Sequence, residues 1–151
     1  MNIIEKSIKD LHPYECNPRR NDNAVDAVAE SIKEFGFKVP IVVDADGVIV
    51  AGHTRYKAAK KLKLKTVPCI VTDDLTPEQV KAFRLADNKV GELAEWDSEL
   101  LDLELGGIEL NMGAFGFELD SNGELKPYTG EGVREYEPGE LCILDRRKGK
   151  A

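Results

Sequence analysis

The sequence lacks any apolar run approaching the roughly 20 residues that a bilayer-crossing helix needs, so a membrane partner is not expected. Its first residues, Met1-Asn2-Ile3-Ile4-Glu5-Lys6, do not have the basic-then-apolar build of a secretion signal, and a cytoplasmic location is the expectation. Cysteine is scarce and scattered. Cys16, Cys69 and Cys142 form no CxxC pair and no cysteine–histidine cluster. That pattern speaks against zinc and against a disulfide framework, and leaves reduced thiols, with Cys69 buried in a strand. Positive charge is also short: 21 Lys and Arg stand against 28 Asp and Glu, a net charge of −7. Coating DNA nonspecifically takes clustered cations that displace counterions from phosphates, so that function class is disfavoured. Two local basic patches remain, Arg19-Arg20 and Lys57-Lys60-Lys61-Lys63-Lys65, either of which can meet a nucleotide or a short stretch of DNA.

What is present suits one domain with a real core and an appendage, since 151 residues with 42% hydrophobic content can bury a sizeable interior. Residues 2 to 9 read as a strand offering Ile3, Ile4 and Ile8 for burial, broken by His12-Pro13. A polar loop, Cys16-Asn17-Pro18-Arg19-Arg20-Asn21, leads to helical spacing of Val25, Val28, Ala29, Ile32 and Phe35, with Gly36 placed to stop the helix. Val39-Pro40-Ile41-Val42-Val43 and Val48-Ile49-Val50 read as a hairpin across Asp44-Ala45-Asp46-Gly47. A helix follows Gly52-His53-Thr54-Arg55, then a strand over Thr66–Val71. Thr76-Pro77-Glu78-Gln79 starts a further helix with a capping box, and its apolar face is predicted to be Val80, Phe83 and Ala86. A last helix runs from near Asp97 to Gly106-Gly107, carrying Leu100, Leu101, Leu103 and Leu105.

The informative unit is strand, Gly-His-Thr-Arg, helix. A helix start exposes unpaired N–H groups and a partial positive charge, both suited to an anion. Gly52 lets the backbone approach phosphate, and Arg55 offers a planar fork for its oxygens. Thr54 either caps the helix or donates its hydroxyl to phosphate or metal. His53 can donate to phosphate or carry a proton, and a plain surface histidine fits as well. Asn17-Pro18-Arg19-Arg20 can complete a phosphate or base pocket, or be a solvated turn. Asp87 and Asn88 can supply oxygens to Mg²⁺ bridging phosphates, or be ordinary helix-end polarity.

The order Asn17-Pro18-Arg19-Arg20, Val39-Pro40-Ile41-Val42-Val43, Gly52-His53-Thr54-Arg55-Tyr56-Lys57-Ala58-Ala59 and Val67-Pro68-Cys69-Ile70-Val71 resembles the ParB N-terminal domain, over about residues 2 to 95. The resemblance implies an α+β (mixed α/β) fold of the ParB/sulfiredoxin type, a small mixed sheet flanked by helices with a helical C-terminal extension. Family members bind nucleotide: partition proteins bind CTP with Mg²⁺, sulfiredoxins ATP, and a related free-serine kinase an adenine nucleotide. By position Gly52 and Arg55 match the family's Gly-Glu-Arg-Arg box, Asn17 and Arg19 its Asn-Pro-Arg box, and Asp87-Asn88 its metal-binding Glu-Asn pair. His53 and Thr54 stand where partition proteins carry Glu and Arg, so CTP hydrolysis is not implied. His53 also stands where sulfiredoxin has its Cys and Ala51 where the serine kinase has Asp, so neither chemistry is implied.

Gly52-His53-Thr54-Arg55, Ala86-Asp87-Asn88-Lys89, Trp96-Asp97-Ser98-Glu99-Leu100-Leu101 and Phe115-Gly116-Phe117 further resemble the ParB-like domain found before phage and mobile-element DNA methyltransferases. Glu137-Pro138-Gly139-Glu140-Leu141-Cys142-Ile143-Leu144 is similar to the lead into the methylase. The methylase glycine-rich loop and Asp/Asn-Pro-Pro motif are absent, so methyl transfer by these residues is not expected. The implied organisation is a ParB/sulfiredoxin-like domain over 1–95, a helical extension over 96–119 and a linker or tail over 120–151. The expected function is an NTP-binding accessory or regulatory module in DNA metabolism, with CTP or ATP and Mg²⁺ as ligands. DNA, a methyltransferase domain or another protein is the further partner. The alternatives are an NTPase, a small-molecule kinase or a nuclease of the same fold, and an interaction domain without nucleotide. A nuclease wants clustered carboxylates, and only Asp87 lies near the proposed site.

Overall fold

The computed structural model describes residues 1–118. The linker expected over 120–151, with Cys142 and the Glu137–Leu144 segment, lies outside the described residues. Four strands form one mixed sheet: β1 (Ile3–Ser7), β2 (Ile41–Val43), β3 (Ile49–Ala51) and β4 (Thr66–Val71), in the order β1-β4-β2-β3. β1 and β3 pair antiparallel to their neighbours and β2 runs parallel to β4. The helices are α1 (Asp22–Phe35), α2 (His53–Lys61), α3 (Pro77–Glu92) and α4 (Ser98–Gly106).

The hairpin follows from turn chemistry. Asp44 Oδ1 accepts from the N–H groups of Asp46 and Val48, both at 2.9 Å, and Gly47 takes φ +81°. A Cβ there would meet Asp10 O at 2.5 Å, so glycine is required twice over. Pro68, in the central strand, lies one residue before the parallel ladder with β2 begins at Cys69, where its missing N–H costs that ladder nothing. The core is Leu11, Ile41, Val43, Ile49, Tyr56, Ala59, Val67 and Cys69, between the sheet and α2. Cys69 is buried, as its strand position predicts.

Several sequence expectations are corrected. The first strand ends at Ser7, whose hydroxyl accepts from Lys9 N–H and turns the chain into a short 3₁₀ helix over Ile8–Asp10. Ile3 and Ile4 are exposed, because β1 is the sheet edge. β2 begins only at Ile41, leaving Val39 exposed. On α3, Phe83 and Ala86 are exposed and the buried side chain is Arg84. On α4, Leu101 and Leu105 are buried, one turn apart, while Leu100 and Leu103 face outward.

Candidate phosphate-binding site

β3 ends at Ala51, and Gly52 reverses the chain into α2 with φ +105° and ψ 27°. A Cβ on Gly52 would stand 3.1 Å from Arg55 Nη2, 3.2 Å from Arg55 Nε and 3.3 Å from Ile41 Cγ1. The missing side chain is thus the space that the Arg55 guanidinium borders. Gly52 is also the N-cap, with no side-chain capping bond, so Thr54 is not the cap but the second residue of α2. The first N–H groups of this helix therefore keep their unpaired character.

Arg55 Nη2 donates to Pro40 O at 3.2 Å, while its buried Nε has no partner among the described residues. Burial lowers the Arg55 pKa and the Asp87 carboxylate opposes that shift, which places Asp87 within electrostatic reach. The guanidinium stays charged in either case. Arg55 also lines a cavity of about 290 Å³ with Val28, Ile32, Phe35, Phe37 and Val39, at the C-terminal end of α1.

His53 is half-buried, and its Nε2 accepts the backbone N–H of Tyr14 at 3.1 Å. Burial first, then the charges of Arg84 and Lys57, lower its pKa to about 4. His53 is therefore neutral at physiological pH, with Nε2 engaged as an acceptor and the ring proton on Nδ1.

The basic loop is tied to the same place. His12 bridges to β3, donating to Gly47 O and accepting from Ile49 N–H, both at 2.8 Å. Asn17 Oδ1 accepts from Arg19 N–H at 3.3 Å, and Arg19 Nη1 donates to Asn88 Oδ1. Asn88 Nδ2 donates to Arg84 O at 2.8 Å. Both ends of the Asn88 amide are thus occupied by protein, whereas Asp87 is exposed. Arg20 is exposed at the start of α1, close enough to act on Asp22. The lysine patch is partly spent on helix packing: Lys57 pairs with Asp22 at 2.8 Å and with the buried Asn21 at 2.7 Å, and Lys61 pairs with Asp26. Lys60 lies over the Tyr56 ring.

Sequence reasoning missed Arg84 and Tyr14. Arg84 is 4% exposed, donates through Nε to Ile49 O at 3.3 Å, and places its guanidinium carbon 3.7 Å from the Tyr14 ring centroid. Its spacing, one turn before Asn88, was the available signal; a lone arginine beside Phe83 reads otherwise as a solvated residue.

No helix among the described residues is long and apolar enough to cross a membrane. The ParB N-terminal domain family matches residues 1–89. A ParB-like nuclease domain-containing protein, YnaK, of Escherichia coli strain K12 is 41% identical over 80 residues, which are 52% of this chain and 92% of the relative. Stage 0 sporulation protein J of Bacillus subtilis strain 168 is 34% identical over 115 residues, 68% of this chain but only 40% of the relative. Among solved structures, C-terminally truncated chromosome-partitioning ParB of Caulobacter crescentus complexed with CTP-γ-S superposes with a TM-score of 0.60 at 27% identity, covering 78% of this chain and 67% of that one. With more than half its length matched and the mixed sheet in common, the chain belongs to the ParB N-terminal domain family.

Proposed function

We propose that this domain binds a nucleoside triphosphate at the Gly52 turn and serves as a nucleotide-responsive module in DNA partition or a related DNA transaction. The carrying observation is the uncapped start of α2, with the Arg55 guanidinium against Gly52, the charge of Arg84 reaching His53, and Asp87 as a carboxylate within reach of Arg55. Backbone N–H groups beside planar cations that make no ion pair among the described residues suit a polyphosphate. The cavity beside Arg55 is apolar enough for a base, and it adjoins the turn through Arg55 itself. The complex of the related ParB with CTP-γ-S supports CTP as the first ligand to test.

Asp87 would be the protein's contribution to Mg²⁺. With the Asn88 oxygen bonded to Arg19, and no group of three His, Cys, Asp or Glu side chains among the described residues, the donor set fits a metal that arrives with the nucleotide. Mg²⁺ there would neutralise phosphate charge. The same donor set gives a nuclease reading little support. Partnership with DNA, a methyltransferase domain or another protein belongs to this reading as the output side of the module.

The test is a thermal-shift panel of CTP, ATP, GTP and UTP with and without Mg²⁺. One nucleotide should raise the melting temperature by mass action on the folded state. Arg55→Ala should weaken that ligand at least about tenfold, the value of one charge-assisted hydrogen bond. No shift by any of the four at millimolar concentration would refute the reading.

A further inference from the structure

Arg84 is hard to explain as a packing residue. Its neighbours on α3, Phe83 and Leu85, are about 40% exposed, while this cation is 4% exposed. A buried cation ordinarily has a carboxylate against it, because desolvation must be compensated. Arg84 has instead an aromatic face at 3.7 Å and a backbone carbonyl at 3.3 Å, and the Asp44 carboxylate acts on it through space without forming an ion pair. Both orient a guanidinium without cancelling its charge. The ring belongs to Tyr14, whose own N–H is given to His53 at the head of α2. Through Asn88, which donates to the Arg84 carbonyl, the same turn of α3 also holds Arg19. One side chain thus joins β3, α3, the basic loop and the first residue of α2.

We infer that Arg84 and Tyr14 are the positioning pair of the anion site: their stack holds the Tyr14–Arg20 loop against the start of α2, so that Arg19 and a buried cation with no carboxylate in direct contact face the incoming phosphates. The inference rests on the nucleotide-site reading above. Neither residue needs to touch the ligand. Shape alone does not suffice, since a lysine at 84 would keep the charge and lose the plane that lies on the ring.

Nucleotide binding to the full chain, titrated with MgCTP and MgATP well below each variant's melting temperature, tests the pair. Tyr14→Phe should bind as wild type. Tyr14→Leu and Arg84→Lys should each bind about tenfold or more weakly, the scale of a desolvated cation–π contact. Nitrogen-15 spectra of the His53 ring give a readout that loss of packing alone would not move. Wild type should display the Nδ1–H tautomer imposed by the Tyr14 N–H, and both weak variants should drift toward the Nε2–H form favoured by a free imidazole. If Tyr14→Leu fails to fold, Arg84→Lys decides. Wild-type affinity and an unchanged tautomer in Arg84→Lys would overturn the positioning pair and leave the nucleotide reading standing. A wild-type chain that binds neither nucleotide would overturn both.

Discussion

Two helices of this domain begin in opposite ways. α3 starts in a complete capping box: Thr76 Oγ1 accepts from Gln79 N–H at 3.2 Å and Gln79 Oε1 accepts from Thr76 N–H at 2.9 Å, with Pro77 filling the first helical position. Its orphan donors are met by its own side chains. α2 starts at a left-handed glycine with no such bond, and basic groups rather than acceptors crowd around it. α1 also starts without a side-chain cap, at Asn21, so the open start of α2 is set apart by its left-handed glycine and the arginine beside it. Under the nucleotide reading proposed above, that difference marks the α2 terminus and not the α3 terminus as the place for a ligand.

The contrast breaks first at Gly52. Gly52→Ala puts a methyl against the Arg55 guanidinium and Ile41 in a backbone region L-residues avoid, so it should destabilise the fold by about 1–3 kcal/mol and abolish the nucleotide-induced thermal shift. Urea denaturation and the same thermal panel measure the two losses separately. If the variant keeps its stability and its shift, the turn does not require glycine.

His53 sharpens the comparison through pH. Its folded pKa of about 4 lies below the ordinary 6.5, so the unfolded chain takes up the proton first. The stability from neutral His53 is complete above pH 6.5, falls as the pH drops toward 4, and is gone below it. Allowing for residual solvent at this half-buried ring, the loss is roughly 1–2 kcal/mol. Urea midpoints of wild type minus His53→Gln should carry that slope between pH 6.5 and 4, and a flat difference would contradict the Tyr14 contact.

The smallest effect belongs to the closed terminus. Thr76→Ala should cost about 1 kcal/mol of stability with nucleotide affinity unchanged. Equal damage to affinity would mean that α3 and the anion site are not separable at this end.

Much of the frame was legible along the chain. Alternating turn and apolar signals marked the hairpin, Gly36 and Gly106-Gly107 marked helix ends, and Thr76-Gln79 spelled out its own capping geometry. Local rules worked for the hairpin turn and for the Thr76 capping box, whose partners lie within a few residues. They failed for burial at the sheet edge, since nothing in Ile3-Ile4 says that β1 would have a neighbour on one side only. They failed also for Thr54, whose capping chemistry was pre-empted by the preceding glycine. Tyr14 and Arg84 stand 70 positions apart, and no periodicity connects a ring after His12-Pro13 to a cation in the middle of α3. The sequence therefore pointed to the Gly52 turn and the basic loop as candidate segments, and not to the contacts that hold the two together.

One nitrogen carries a thermodynamic consequence. Arg55 Nε is shielded from water and donates to nothing among the described residues, a frustration worth about 1–3 kcal/mol. Under the proposed nucleotide reading, a phosphate oxygen presented to Nε would relieve that frustration, and the relief would add to the affinity.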